Sequence, residues 1–238
     1  MICIVGYGYV GQATHKLIGS KKVDLIIDVN STESDWDIAS DADVVFICVP
    51  TPMAKDGSCD TSLVSGAMKR IGREPLYVIR STVPWTFAMP GYDVVANPEF
   101  INQNDYLSDN SKAQLLGGIY QDTSKVEALY SANGIKCITT PWSVAWQVKY
   151  CSNLYGAFKV SFWEMIQDIT GNERYIYNTW KQLGFNQGDL AQVGMDGFRG
   201  FGGACFPKDV CAMNQLTKHP LIDAILKYNA SLQDGTKN

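Results

Sequence analysis

The chain has 238 residues, 46% hydrophobic, 18% charged and 11% aromatic. That is enough apolar material for one large or two modest packed domains, and it excludes intrinsic disorder, collagen-like repeats and low complexity. Lys and Arg number 20 against 24 Asp and Glu, for a net charge of −4 with no basic tract, so no nucleic-acid partner is expected.

The opening MICIVGYGYVG lacks the basic n-region of a signal peptide, and no apolar run reaches the length that spans a bilayer, so no membrane is expected. Seven cysteines without a CxxC pair fit reduced thiols in a cytoplasmic protein. Only His15 and His219 are present, and no metal is expected.

In chain order, ICIVG, VDLIIDV, DVVFICVP and LYVIRST read as short buried strands, with helical spacing in YVGQATHKLIG and TSLVSGAMKRIG. DVVANPEF, QLLGGIY and GIKCITT add strands, with a helix over 123–132 between the last two. This alternation predicts a Rossmann-type, doubly wound parallel sheet. Thr140-Pro141 then starts a helix that Gly171 stops, about 45 Å long at 1.5 Å per residue. Shorter helices, a glycine-rich segment and a final helix near 220–233 follow. The organisation expected is a sheet domain over 1–139 and an all-helical domain over 140–238. The long helix carries more apolar surface than the helical domain can cover, which predicts a homodimer.

Gly6-Tyr7-Gly8-Tyr9-Val10-Gly11 follows the first strand and opens a helix, and Asp28 ends the second strand. Gly6 permits the tight turn, Gly8 lets a pyrophosphate approach the backbone, and Gly11 permits close packing. The amides of Gly8, Tyr9, Val10 and Gly11 face a phosphate at a helix N-terminus. Asp28 accepts from a ribose and repels a 2′-phosphate, which favours NAD over NADP.

Cys205 lies in GFGGACFPKD, with Pro207 expected at N1 of a helix and Asp209 in its first turn. A thiol at a helix N-terminus beside Lys208 is a nucleophile. The other six cysteines read as small buried hydrophobes. Lys149 and Asn153 stack one turn apart on the long helix. They are either a functional pair on a mostly buried helix or a snorkelling lysine beside a packing asparagine.

GYGYVG, Val49-Pro50-Thr51-Pro52, Ser81-Thr82-Val83-Pro84, Asn97-Pro98-Glu99-Phe100, Lys149-x3-Asn153 and GFGGACFPKD occur in that order. In this the chain resembles the UDP-glucose/GDP-mannose dehydrogenase family over nearly its whole length. The resemblance implies two-step oxidation of a nucleotide-sugar 6-hydroxyl, UDP-glucose above all, with two NAD. Cys205 would hold the intermediate aldehyde as a thiohemiacetal and then a thioester. Lys149 and Asn153 would stabilise oxyanions and contact substrate, and Glu99 would be the base through a water held by Thr82 or Asp209. Thr51, Thr82 and Lys208 would line the NAD, and Glu99, Phe201 and Gly202 the sugar.

Two departures stand out. Gln103 replaces a glutamate usual in the family, and the further nucleotide-binding domain of the family has no counterpart in the sequence. They open an alternative, a non-catalytic NAD-binding relative. A two-electron hydroxyacid dehydrogenase is a third reading, but it leaves Cys205 without a task.

Overall fold

A computed structural model describes residues 1–19, 21–101, 113–185, 193–194 and 197–235. The chain divides into two compact units, Met1–Pro52 with Asp60–Lys149, and Met53–Cys59 with Tyr150–Asn238.

The first unit holds seven strands, β1 (Ile2–Val5), β2 (Leu25–Ile27), β3 (Val44–Ile47), β4 (Leu76–Ile79), β5 (Val94–Ala96), β6 (Gln114–Gly117) and β7 (Cys137–Thr140). They form one sheet in the order β2-β1-β3-β4-β5-β6-β7. Helices α1 (Tyr9–Ile18), α2 (Glu33–Ala39), α3 (Ser62–Ile71) and α4 (Tyr120–Ser131) complete the unit. Every residue of β3 and β4 is buried, because the sheet is covered on both faces. Alternate residues serve opposite cores: Val45, Ile47, Tyr77 and Ile79 one, Val44, Phe46, Leu76 and Val78 the other.

Two features depart from expectation. The sheet is mixed, since β6 runs antiparallel to β5 through Ala96 and Gly117, and β7 runs parallel to β6. A chain returning beside the strand it has just left pairs antiparallel; only a crossover would keep the parallel sense. Helix α2 was not singled out by hydrophobic spacing. Its start is set by a capping box, in which Asp35 N donates to Thr32 and Thr32 N donates to Asp35. The N3 residue of this box is aspartate rather than the more familiar glutamate.

The 29-residue helix α5 (Trp142–Thr170) matches the predicted long helix, and Gly171 after it takes φ +65°. The units divide inside it, after Lys149, ten residues beyond the 139/140 boundary expected from the sequence. The reason is packing: Trp142, Ala145 and Trp146 belong to the sheet's core.

The second unit comprises the rest of α5 with α6 (Glu173–Gln182), α7 (Phe206–Thr217) and α8 (Pro220–Gly235). Its core joins Ala157 of α5 to Phe201, Val210, Ile222 and Ile225. Among the described residues, no helix is long and apolar enough to cross a membrane.

Candidate active site

In the first unit, β1 lies between β2 and β3, so the connections after β1 and after β2 leave in opposite directions along the sheet. Such a switch point opens a crevice at the carboxyl ends of β1 and β3. Gly6 turns there at φ +90°, and a Cβ on it would sit 2.8 Å from the Cys48 carbonyl. A Cβ on Gly11 would sit 2.1 Å from the Gly6 carbonyl oxygen, so α1 could not begin so close to the turn with any other residue. Gly8 has open space where a Cβ would point, and as the N-cap of α1 it offers no capping side chain. No N-cap side chain stands at the start of α1, the kind of helix end at which a phosphate binds.

Beside this turn is a cavity of about 540 Å³, lined among others by Gly6, Asp28, Ser31, Glu33, Trp36 and Arg70. Asp28 is exposed, accepting from Tyr7 N at 3.3 Å and Val29 N at 2.9 Å. A carboxylate has lone pairs beyond those two, sufficient for a ribose hydroxyl. The bare glycine, the uncapped helix and the acidic wall fit a dinucleotide. Ser31, Trp36 and Arg70 escaped the sequence reading. Arg70 lies 4.3 Å over the Trp36 ring and pairs with Glu33, an arrangement that needs α2 and α3 side by side.

Thr51, Ser81 and Thr82 are buried at the ends of β3 and β4, and Ser81 Oγ donates to Val49 O at 2.6 Å. Lys149 does not snorkel. It is 4% exposed, and its Nζ donates to Glu99 Oε1 at 3.0 Å, while Ile101 N donates to Glu99 Oε2 at 2.9 Å. The pair leaves Lys149 with further N–H donors in a fixed direction. Gln103 falls outside the described residues.

In the second unit, α7 starts at Phe206, so Cys205 is its N-cap and Pro207 stands at N2, one position later than expected. The half-buried thiol is thus at the helix N-terminus itself. Asp209 in the first turn is 2% exposed; its Oδ2 accepts from Asn153 Nδ2 at 2.5 Å and its Oδ1 from Lys208. One amide hydrogen of Asn153 is committed to Asp209 and one is left over. Gly156, which the sequence reading missed, permits this approach: a Cβ there would lie 2.5 Å from the Phe206 ring. Its signal was a lone glycine inside a helical pattern. The Phe201 ring points into the core, and Gly202 is half-buried.

None of the seven cysteines is in a disulfide. Burial pushes Cys3 up to about 12 and Cys48 up to about 11, as inert core thiols require. Of the six cysteines expected to be buried only these two are; Cys59, Cys137 and Cys211 are half-buried, and α5 presents Cys151 to solvent.

Fold and crevice together define a Rossmann-type dinucleotide-binding protein. Residues 31–132 match the NAD-binding domain of the UDP-glucose/GDP-mannose dehydrogenase family. The chain is 30% identical over 223 residues to UDP-glucose 6-dehydrogenase TuaD of Bacillus subtilis (strain 168), covering 79% of this chain and 46% of that protein. It is 30% identical over 221 residues to UDP-glucose 6-dehydrogenase of Rickettsia typhi (strain ATCC VR-144 / Wilmington), covering 78% and 48%. A solved UDP-glucose dehydrogenase from Pyrobaculum islandicum shares the fold with a TM-score of 0.80, at 23% identity, over 97% of this chain and 68% of that one. This chain belongs to the UDP-glucose/GDP-mannose dehydrogenase family, and its cofactor is NAD. It spans about half the length of the curated relatives it matches.

Proposed function

We propose that the chain is an NAD-dependent nucleotide-sugar 6-dehydrogenase, acting on UDP-glucose or a close relative through covalent catalysis at Cys205. The observation that carries this reading is the arrangement at α7. Cys205 occupies the N-cap position of the helix, and a buried aspartate one turn on is held by Asn153 and Lys208. A structural cysteine needs no such apparatus.

The reading assigns a task to each unit. NAD, when bound, takes up a hydride from the sugar carbon. The first unit supplies the glycine turn and Asp28 for the cofactor, with Thr51 and Thr82 at the strand ends. Glu99 takes the hydroxyl proton, and Lys149 stabilises the oxyanion that develops. In the second unit, the Cys205 thiolate adds to the aldehyde carbon and forms a thiohemiacetal. Oxidation of that adduct, with its hydride passing to a second NAD and its hydroxyl proton to the base, leaves a thioester, and water releases the carboxylate and restores the thiol. Asn153 donates its remaining N–H to the oxyanion. Lys208 serves cofactor and substrate, and Gly202 the sugar, on a loop anchored by Phe201.

The reading extends to a homodimer in the cytoplasm. Tyr155, Phe162, Met165 and Ile169 form an exposed apolar stripe on α5, which a second copy would cover. The decisive experiment is NADH production with a panel of UDP- and GDP-sugars. The expected result is two NADH per sugar and a uronate product, both lost in Cys205→Ala. NAD binding with no sugar oxidised overturns the dehydrogenase reading, and wild-type uronate formation by Cys205→Ala overturns the thioester route.

A further inference from the structure

Glu164 is a carboxylate in the interior of α5 with no exposed surface, an expensive position for a charge. Both of its oxygens are committed to the segment that leads into the thiol loop. Arg199 Nε donates to Oε2 at 2.7 Å, and Gly200 N donates to Oε1 at 2.6 Å. The other arm of Arg199 donates to Asp168 Oδ1 at 2.7 Å, one turn further along α5. Asp168 Oδ2 in turn accepts from Tyr228 OH of α8 at 2.6 Å.

The next residue is gripped from α8. Phe201 N donates to Asn229 Oδ1 at 2.7 Å, and Phe201 O accepts from Asn229 Nδ2 and Gln233 Nε2, both at 3.1 Å. Gly200 has φ +81°, and a Cβ on it would lie 2.3 Å from Asn229 Oδ1. Residues 199–201 are therefore fixed through side chain, amide and carbonyl alike. Beyond the loop, α7 is seated on the same helix by Phe206 against Gly156 and by Asp209 to Asn153. The two anchor points on α5, Gly156 and Glu164, are about 12 Å apart at 1.5 Å per residue. Cys205 thus stands at the end of a short glycine-rich loop tied at both ends to one rigid helix.

We propose that Glu164 is a positioning residue for the Cys205 thiol: with Arg199, Asp168 and Asn229 it holds the loop so that the sulfur stays at the N-terminus of α7. This deepens the covalent reading above, but its test needs no substrate. A fold-only staple would affect stability alone, whereas a positioning role must alter the thiol's chemistry.

The experiment is the pH profile of iodoacetamide alkylation at Cys205, read by peptide mass spectrometry in the full chain, with exposed Cys151 as internal reference. Two variants are compared with the parent. Glu164→Gln keeps an acceptor and removes the charge; Asp168→Asn, at a partly exposed site, weakens only the outer arm and covers the case in which the first fails to fold. The expected result is a Cys205 midpoint moved up toward the ordinary thiol value of ~8.5, more in Glu164→Gln than in Asp168→Asn. The Cys151 profile should stay put. Cys205 profiles that coincide with the parent's overturn the proposal. So does a faster limiting rate at an unmoved midpoint, which would mean that the loop had merely opened. If no sugar is oxidised, the dehydrogenase reading fails while this one is still decided by the alkylation profile.

Discussion

The two units handle buried charge differently. In the first, Arg80 is 1% exposed and among the described residues donates to neutral groups: Asn97, Gln114 at 3.0 Å and Tyr130 at 3.1 Å. It ties the ends of β4, β5 and β6 to α4; among the described residues of this unit Lys149 is the other buried cation, beside one buried acid, Asp122. In the second, the buried charges are acids, Glu164, Glu173 and Asp209. Two of them hold the segments on either side of Cys205. The cofactor surface proposed for the sheet unit is chiefly backbone, in a glycine turn and a helix start. The thiol site proposed for the helical unit depends on side chains that reach across from other helices. A backbone site tolerates change around it as long as the turn survives, whereas a side-chain site fails wherever one clamp is lost.

That contrast can be broken or sharpened by mutation. The largest effect is expected for Trp146→Ala, which empties a fully buried indole site in the sheet's core. The loss should be ~3–5 kcal/mol by urea unfolding, and a loss under ~1 kcal/mol would separate the first turns of α5 from that core. Lys149→Ala leaves Glu99, 11% exposed at its side chain, without its cation. We expect a loss of ~3 kcal/mol, at the lower end for a broken buried pair because Ile101 N–H still serves the carboxylate. Lys149→Ala paired with Glu99→Gln should recover much of it, and failure to do so would deny the coupling.

Gly156→Ala is a test of sign. In an ordinary helix interior alanine gains about 1 kcal/mol over glycine. Here the added methyl meets the Phe206 ring, and overpacking should reverse the gain to a loss of ~1–3 kcal/mol. A stabilised variant in thermal unfolding would show that α7 is not seated this way. The smallest effect concerns pH. Hydrogen bonds from Tyr228 and Arg199 hold the Asp168 carboxyl below its ordinary value of 3.8. A depressed carboxyl adds stability above the unfolded value and loses it as pH falls through the folded one. Tyr228→Phe should therefore lower the melting temperature slightly at neutral pH, with the gap closing below the folded value. A gap that persists undiminished in acid would place the effect in packing instead.

Some of this was legible from residue types alone. The seven strands, the long helix and its stop at Gly171 follow from apolar spacing and one glycine. The GYGYVG turn was legible because its function resides in missing side chains: Gly11 is forced by a contact of 2.1 Å to the Gly6 carbonyl oxygen within the turn, and Gly6 by one of 2.8 Å to the Cys48 carbonyl, which only the packed sheet brings there. Cys205 was legible as a helix cap because Pro207 and Asp209 are local signals. The reversal of β6 was not, since strand direction depends on the path between strands rather than on the strands' own residues. Nor were Gly156, Glu164 and Asn229, whose meaning depends on partners tens of residues away.

The sequence by itself determined that this chain is a two-part α/β and helical protein with an NAD-type turn at one end and the cysteine-bearing GFGGACFPKD motif near the other. Those features rest chiefly on interactions within a few residues, so their composition and spacing go far to specify them. Only the tertiary structure decided that Lys149 pairs with Glu99, that Asp209 is shared by Asn153 and Lys208, and that the thiol loop is clamped by Glu164. Apart from that of the neighbours Lys208 and Asp209, such contacts join residues 35–56 positions apart. The low dielectric of a packed interior strengthens these contacts and offsets the cost of desolvation, and no local pattern encodes that packing.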